Sequence, residues 1–504
     1  MLAPDYLDHA PDRLVLLFQQ VEDDILRDVA RRISKMETLT PTANWQLWRY
    51  QQTEAVRQDV IKKLARYTGK SEAAIRQLMQ EAATRALEAE DRIYYHYDLE
   101  PTPFAENETL QALLNAGYQQ TAGTFSNLTA TTANTVSGQF EAALDRAHLK
   151  VSSGAFDYKS AIKSAVDSLA DTMKYVTYPT GHKDTLEVAA RRAVLTGVNQ
   201  TAGKLQVARA DEMGVEFFTV TAHGGARPSH AAWQGKTYHR GGAVDYLGKH
   251  YEDFESVTGY GTGAGLCGYN CRHQFFSVFP SLGAPPAWTQ ESLDELNARD
   301  IEYDGKKYTQ YEINQMQRAR ERTVRKYKRR YLAEDAAGAD TTQSAVKLRV
   351  ARAELADFTA RTGGRVDSAR TMVSGFGRSQ SSKATWAAKK QERLDAVNND
   401  LTELRQSGKI RMTGAAVVPP ILPNTLNFEG HSLEQMAKRQ ISLAQANEIA
   451  EHAILAISQR NGTQHSYYSD KGFIVIKQDG SIGTVGWLDD GGKQIVEVMK
   501  KHGF

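Results

Sequence analysis

Two stretches, TAHGGARPSHAAWQGKTY at 221–238 and GYGTGAGLCGYNCRHQFFSVFP at 259–280, decide how the whole chain is read. Glycines crowd the interval from Gly224 to Gly268. Such density implies turns and close backbone approaches that a side chain would block. Just upstream, VEFFTVTA at 215–222 has the β-branched and aromatic content of a strand. A small α+β domain with long loops is therefore expected over 206–284. Both cysteines of the chain fall inside it, as Cys267-x3-Cys271-x-His273, with His223, His230, His239 and His250 upstream. Thiolate and imidazole are the ligands that tetrahedral zinc prefers. One expectation is a structural zinc held by Cys267, Cys271, His273 and His230. The other is a pair of reduced thiols packed in a core, with His273 hydrogen-bonded to a neighbouring loop. Cys-x3-Cys is not the common Cys-x2-Cys knuckle, and both readings stay open. Arg227, Ser229, His230 and Lys236 suit an anion site built with glycine amides. With no nucleophile–base–orienter set in view, bracing of loops is the favoured reading for them. GYGTGAG lacks the Gly-Lys-Ser/Thr ending of a phosphate-binding loop.

Upstream, 1–205 reads as a mainly helical region. Leu14, Phe18, Val21, Ile25, Val29, Ile33 and Met36 step by three or four residues and share one stripe. Thr40-Pro41 suits a helix start. Gly69 is expected to end that helix and Ser71 to begin the next, which runs to about Tyr97. Further helices are expected from Asn107 to about Ala210, interrupted near Gly154 and at Pro179-Thr180-Gly181. The opening MLAPDYLDHAPDR is acidic where a signal peptide is basic, and LVLLF is cut short by QQVEDD. Neither a signal peptide nor a membrane anchor is expected.

Downstream, 285–408 is expected to be a helical linker region. IEYDGKKY carries Asp304-Gly305, suited to a type I′ hairpin. Thr309-x-x-Glu312 is a capping box that opens a long helix to about Leu332. Within it RARERTVRKYKRR places Arg318, Arg322, Arg325 and Arg329 on one face. The commonest outcome for such a run is a solvated face. A stripe of this kind also lies along DNA phosphates or meets an acidic protein surface. Residues 409–428, rich in proline, read as a linker. Beyond them, 429–504 reads as a small α+β domain. Ser432-x-x-Gln435 and Ser442-x-x-Gln445 suggest two capped helices, followed by a three-stranded antiparallel sheet and a short closing helix. The fold class is thus multidomain: mainly α, then a small glycine-rich α+β domain, a helical region, and an α+β end.

Composition sets the outer limits. The 504 residues carry 62 Lys+Arg against 60 Asp+Glu, a net charge of +2. That balance excludes a globally basic nucleic-acid binder, so any such role falls to a local patch. Two cysteines exclude a disulfide scaffold. At 41% hydrophobic and 24% charged the chain is globular, and its mean hydropathy of −0.51 is polar for that class.

The ordered series Ala-Arg-Pro-x-His, Trp-Gln-Gly-Lys, Gly-Tyr-Gly and Gly-Leu-Cys-Gly-x-Asn-Cys-Arg-His closely resembles the phage minor capsid protein 2 family, related to the Mu F type of head morphogenesis protein. The resemblance covers about 1–410. It implies a virion protein in few copies, at the portal and capsid interior, made in the host cytoplasm and able to leave the head with the DNA. Portal protein and packaged DNA are then the expected partners.

The last 80 or so residues are similar, by element order and a few polar residues, to the barnase/EndoU/colicin/RelE-like nuclease toxins. That likeness implies metal-independent RNA cleavage, with host RNA as substrate and an immunity protein as partner. The chemistry needs an acid/base, a phosphate clamp and donors to the developing charge. His431 is the candidate acid/base, Arg439 the clamp, and Tyr468 and Thr484 the supporting donors. Tyr467 or Trp487 is placed to stack a base. In the alternative, the domain is a non-enzymatic adaptor: His431 only serves the helix start, and the aromatic residues only fill the sheet and core.

Overall fold

The computed structural model describes residues 1–36, 42–153, 157–178, 180–283, 286–420, 422 and 426–504. It divides into two compact units, Met1–Ser381 and Ser382–Phe504.

The first unit opens with α1 (Pro4–His9), α2 (Asp12–Ser34), α3 (Thr42–His96), α4 (Glu108–Ser152) and α5 (Tyr158–Thr172). After a two-residue pairing of β1 (Val176–Thr177) with β2 (Lys183–Asp184) comes α6 (Leu186–Met213). The expected stripe is buried at all seven positions, six of them on α2 and Met36 just past its end. It packs with Leu64, Phe140, Val166 and Leu195 in one large helical core. Asn107 caps α4 by accepting from the Leu110 amide at 3.0 Å.

Helix α3 corrects an expectation: it runs unbroken through positions 69 and 71. A glycine inside a helix costs about 1 kcal/mol. Leu64 before it and Ile75 and Met79 after it are buried in the same core, which offsets that cost. The expected start at Thr40-Pro41, and Gly154 and Pro179 themselves, lie outside the described residues; α4 ends at Ser152 and α5 begins at Tyr158, and Thr180 and Gly181 stand between α5 and α6, outside any helix.

The glycine-rich segment contains β3 (Phe217–Val220), α7 (Pro228–Ala231), β4 (Thr237–His239), β5 (Val244–Tyr246), β6 (Lys249–Tyr251), α8 (Phe254–Thr258) and β7 (Phe275–Ser277). Strand β3 lies between β4 and β7 in an antiparallel sheet. The core of this sheet, with Phe218, Trp233, Phe254 and Phe275, also takes in Tyr94 of α3 and Ala210 of α6. The expected divisions at 205 and 284 therefore do not separate compact units. Helix α6 runs through the first of them, with Ala202 in the helical core and Ala210 in that of the sheet.

Next come α9 (Gln290–Leu296), the hairpin of β8 (Arg299–Tyr303) and β9 (Lys306–Thr309), and α10 (Gln310–Ala336). Asp304 and Gly305 both have positive φ, as the type I′ turn requires. The Thr309 capping box is present in both halves. Helices α11 (Thr342–Thr362) and α12 (Ser368–Thr371) follow. Helix α13 (Arg378–Gln406) begins at the end of the first unit.

The second unit holds most of α13, then β10 (Ala415–Val417), α14 (His431–Arg439), α15 (Leu443–Glu451), β11 (Leu455–Gln459), β12 (Gln464–Tyr468), β13 (Gly472–Lys477), β14 (Ile482–Trp487) and α16 (Asp490–Lys501). Its sheet has five strands in sequence order, all antiparallel, where three were expected. The stretch 409–428, expected to be a linker, supplies β10, and Asn398 of α13 bonds both backbone groups of Ala416 on that edge. Ile410 is buried with Leu394, Val397 and Leu401. The structure thus starts this unit at 382 rather than at 429, because those apolar residues complete one of its cores. Ser442 forms its capping box, but Ser432 does not: α14 starts at His431, and the Ser432 hydroxyl bonds the backbone of Glu429 instead.

Candidate metal centre

Three of the four expected ligands meet. His230 on α7, Cys271 and His273 are buried, and their ligand atoms all lie within 4.8 Å of one another. Cys271 Sγ is 3.7 Å from His230 Nδ1 and 3.6 Å from His273 Nδ1. Tetrahedral zinc with ordinary Zn–S and Zn–N bonds sets such pairs about 3.6 Å apart.

The partners of the opposite ring nitrogens fix the tautomers. His230 Nε2 lies 2.9 Å from the Ala264 carbonyl, and His273 Nε2 lies 2.9 Å from Gln234 Oε1. Both partners are acceptors, since Gln234 Oε1 also receives the His223 amide at 3.1 Å. Each Nε2 therefore carries the proton, and each Nδ1 turns a lone pair toward Cys271. One thiol proton cannot serve two lone pairs, whereas a cation bound by a thiolate satisfies all three atoms. Burial pushes the Cys271 thiol up and lowers His230 to about 4, so without a metal the cluster is neutral and the imidazoles are ready to ligate.

The surrounding chain explains the convergence. Asn199 of α6 donates to the carbonyls of Cys271 (2.9 Å) and His273 (3.2 Å), fixing that turn. Two close backbone approaches need glycine: a Cβ on Gly265 would stand 2.0 Å from the Gly259 carbonyl oxygen, and one on Gly268 2.5 Å from that of Gly263. The His223 ring stacks on that of His273 at 4.3 Å.

Cys267 is a correction to the expected ligand set. It is buried, but it stands outside the group. Its Sγ faces the His273 carbonyl (3.7 Å) and Gln274 Nε2 (3.6 Å), and it packs in the apolar core of the sheet. Its backbone has positive φ. Of the expected anion set, Arg227 lines the neighbouring cavity. Lys236 instead braces the Ala232 carbonyl at 2.9 Å, and Ser229 is exposed.

The arginine stripe on α10 is split. Arg329, its side chain only 14% exposed, donates to Asp23 (2.7 Å) and Glu22 (2.8 Å), and Arg325 pairs with Glu187. Both are internal, so neither offers a face to DNA. Arg318 and Arg322 line a cavity of about 1200 Å³ that also reaches His230, Cys271 and His273.

In the second unit, Arg439 donates to Thr484 Oγ1 (3.2 Å) and to the Val485 carbonyl, and Trp487 Nε1 donates to the Arg439 carbonyl (3.0 Å). Arg439, Thr484 and Trp487 therefore meet where α14 packs on β14. His431 is exposed at the far end of α14, about 12 Å along its axis. Tyr468 is buried with Leu394 and Ile495, whereas Met436 of α14 packs in a separate core with Tyr467 and Val485. Residues that sequence reasoning missed include Gln234 and Asn199, which orient the metal cluster. Gln234 sits in the Trp-Gln-Gly-Lys run and could have been suspected there; Asn199 lies mid-helix without a local signal.

No described helix is long and apolar enough to cross a membrane. No solved structure matches the chain. A structural protein of Lactococcus phage LL-H is 28% identical over 192 residues, covering 37% of this chain and 48% of that protein. The chain thus spans about half the length of this curated relative. The family model of phage minor capsid protein 2 matches residues 2–360, a span that contains the glycine-rich loops and the whole His–Cys–His cluster. On that match the chain belongs to the phage minor capsid protein 2 family.

Proposed function

We propose that this protein is an internal component of the phage head. Its first unit docks at the portal vertex, pinned by a structural zinc at His230, Cys271 and His273, and its second unit is a separately folded module carried with it. The observation that carries the reading is the coincidence of two boundaries. The family match ends at 360, inside the unit Met1–Ser381, and leaves Ser382–Phe504 wholly outside it. A structural body with an appended module has this organisation. Zinc would act as a cross-link in a loop-rich segment, contributing folding free energy. Cross-linking of intact virions followed by mass spectrometry tests the placement. The expected result is links from the first unit to the portal protein. Links confined to outer-shell proteins would overturn it.

A second reading makes the appended module a ribonuclease that leaves the head with the DNA, acts on host RNA and is held in check by an immunity protein. The meeting of Arg439, Thr484 and the 41% exposed ring of Trp487 at one edge of the sheet favours it. The burial of Tyr468 in the core with Leu394 and Ile495, and the distance of His431, favour the adaptor. Expression of 382–504 in bacteria separates the two. Growth arrest abolished by His431→Ala and by Arg439→Ala supports the nuclease, and indifferent growth supports the adaptor.

A further inference from the structure

The cavity of about 1200 Å³ in the first unit exceeds the roughly 300–1,000 Å³ usual for a small-molecule pocket. Arg191, Arg192, Arg227, Arg272, Arg318 and Arg322 line it, and Asp8 is the one carboxylate among its lining residues. Asp8 is shared by Arg191 (3.1 Å), Arg272 (3.6 Å), Arg318 (3.8 Å) and, from outside the lining, Arg370 (3.1 Å). Arg191 also has Asp12, Arg192 has Asp184, and Arg370 has Asp367. That leaves Arg272 and Arg318 dividing one carboxylate, and Arg227 and Arg322 with no carboxylate partner among the described residues.

One buried donor on this wall, Arg318 Nε, has no hydrogen-bond partner among the described residues. Burial lowers Arg318 to about 10, and the neighbouring Arg370, Arg272 and Arg191 push the same way against Asp8. The excess is built in. Arg227 lies three residues before His230, and Arg272 stands between Cys271 and His273, so the turns that gather the cluster also present these guanidiniums to the cavity. Tyr269, 56% exposed, and Tyr311 add ring faces.

Guanidinium groups match phosphate oxygens in bidentate geometry, and ring faces suit bases. We propose that this cavity is a phosphate-recognition site for a nucleotide ligand, Arg227 and Arg322 each taking a phosphate group. The chemistry is the same for a free nucleotide and for a short stretch of single strand.

The test uses the full chain and the fluorescence anisotropy of a labelled ten-nucleotide thymidine strand in about 50 mM salt, where surface charge is weakly screened. ATP, inorganic phosphate and a poly-glutamate peptide serve as competitors. The expected result is saturable binding that weakens about tenfold or more in Arg227→Ala/Arg322→Ala and is unchanged in Lys306→Ala/Lys307→Ala. Asp8→Asn, which removes the competing carboxylate, should tighten it, a direction that misfolding does not produce. Displacement by ATP identifies a free nucleotide as the ligand; displacement by unlabelled strand alone identifies nucleic acid. The proposal is overturned by no binding of strand or ATP, by unchanged affinity in the double arginine variant, or by equal displacement by poly-glutamate.

Discussion

Replacing Arg329 by leucine should unlock α10 from the helical body. Its guanidinium reaches Asp23 at 2.7 Å, Glu22 at 2.8 Å and Glu187 at 3.5 Å, and those side chains are only 1%, 1% and 5% exposed. With Arg325 on Glu187, three carboxylates face two guanidiniums, so one proton balances the group. Burial holds Glu22 up to about 8 despite Arg329, which makes it the residue that keeps that proton. Taking away one partner of a buried ion pair costs about 3–5 kcal/mol. Protonating an ordinary carboxylate at pH 7 costs about 4 kcal/mol, which sets the ceiling for each acid left behind. A unit the size of Met1–Ser381 unfolds with roughly 0.8 kcal/mol per kelvin of entropy, so its midpoint should fall by about 4–6 °C. Thermal and urea melts of the full chain, followed by circular dichroism, measure this. The deficit should shrink at pH 5, where the stranded acids take up protons. A loss below about 1 kcal/mol, or one that is the same at pH 5 and pH 7, would refute the reasoning.

The same group sets a pH dependence in the native protein. The Glu22 carboxyl is raised above its unfolded value, so its contribution is complete below about 4.5 and is lost as pH rises through about 8. The first unit should melt lower at pH 9 than at pH 6, and Glu22→Gln should flatten that difference. Elemental analysis after dialysis should find one zinc per chain, lost in His230→Ala and Cys271→Ser and kept in Cys267→Ser; retention in Cys271→Ser would remove the ligand set. Gly265→Ala should cost about 1–3 kcal/mol in a melt, because its Cβ meets backbone that cannot rotate away. The fragment 382–504 should unfold cooperatively, whereas 429–504, stripped of β10 and of Leu394, Val397 and Leu401, should not.

Legibility followed how local each signal was. The α2 stripe, the Asp304-Gly305 hairpin and the Thr309 capping box are written within a few residues, and each stands where the sequence puts it. The convergence of His230 with Cys271 and His273 was readable because all three belong to one ordered motif. What failed depended on distant partners. Gly69 looks like a helix end until the core on both sides of it is known. The prolines after Val418 look like a linker because nothing nearby says that Ala415–Val417 pairs with Leu455–Gln459. Arg325 and Arg329 look solvated because Glu22, Asp23 and Glu187 lie more than a hundred residues away. Asp8, the shared carboxylate of the arginine cavity, is remote from its partners for the same reason.

The placement of the chain in the head is tested most directly by an asymmetric cryo-electron microscopy reconstruction of the virion's portal vertex. The account predicts density for the first unit on the inner side of the portal, with the glycine-rich loops and the His230–Cys271–His273 cluster ordered within it. Density on the outer face of the shell, or none at the vertex while the protein is present in purified particles, would contradict it.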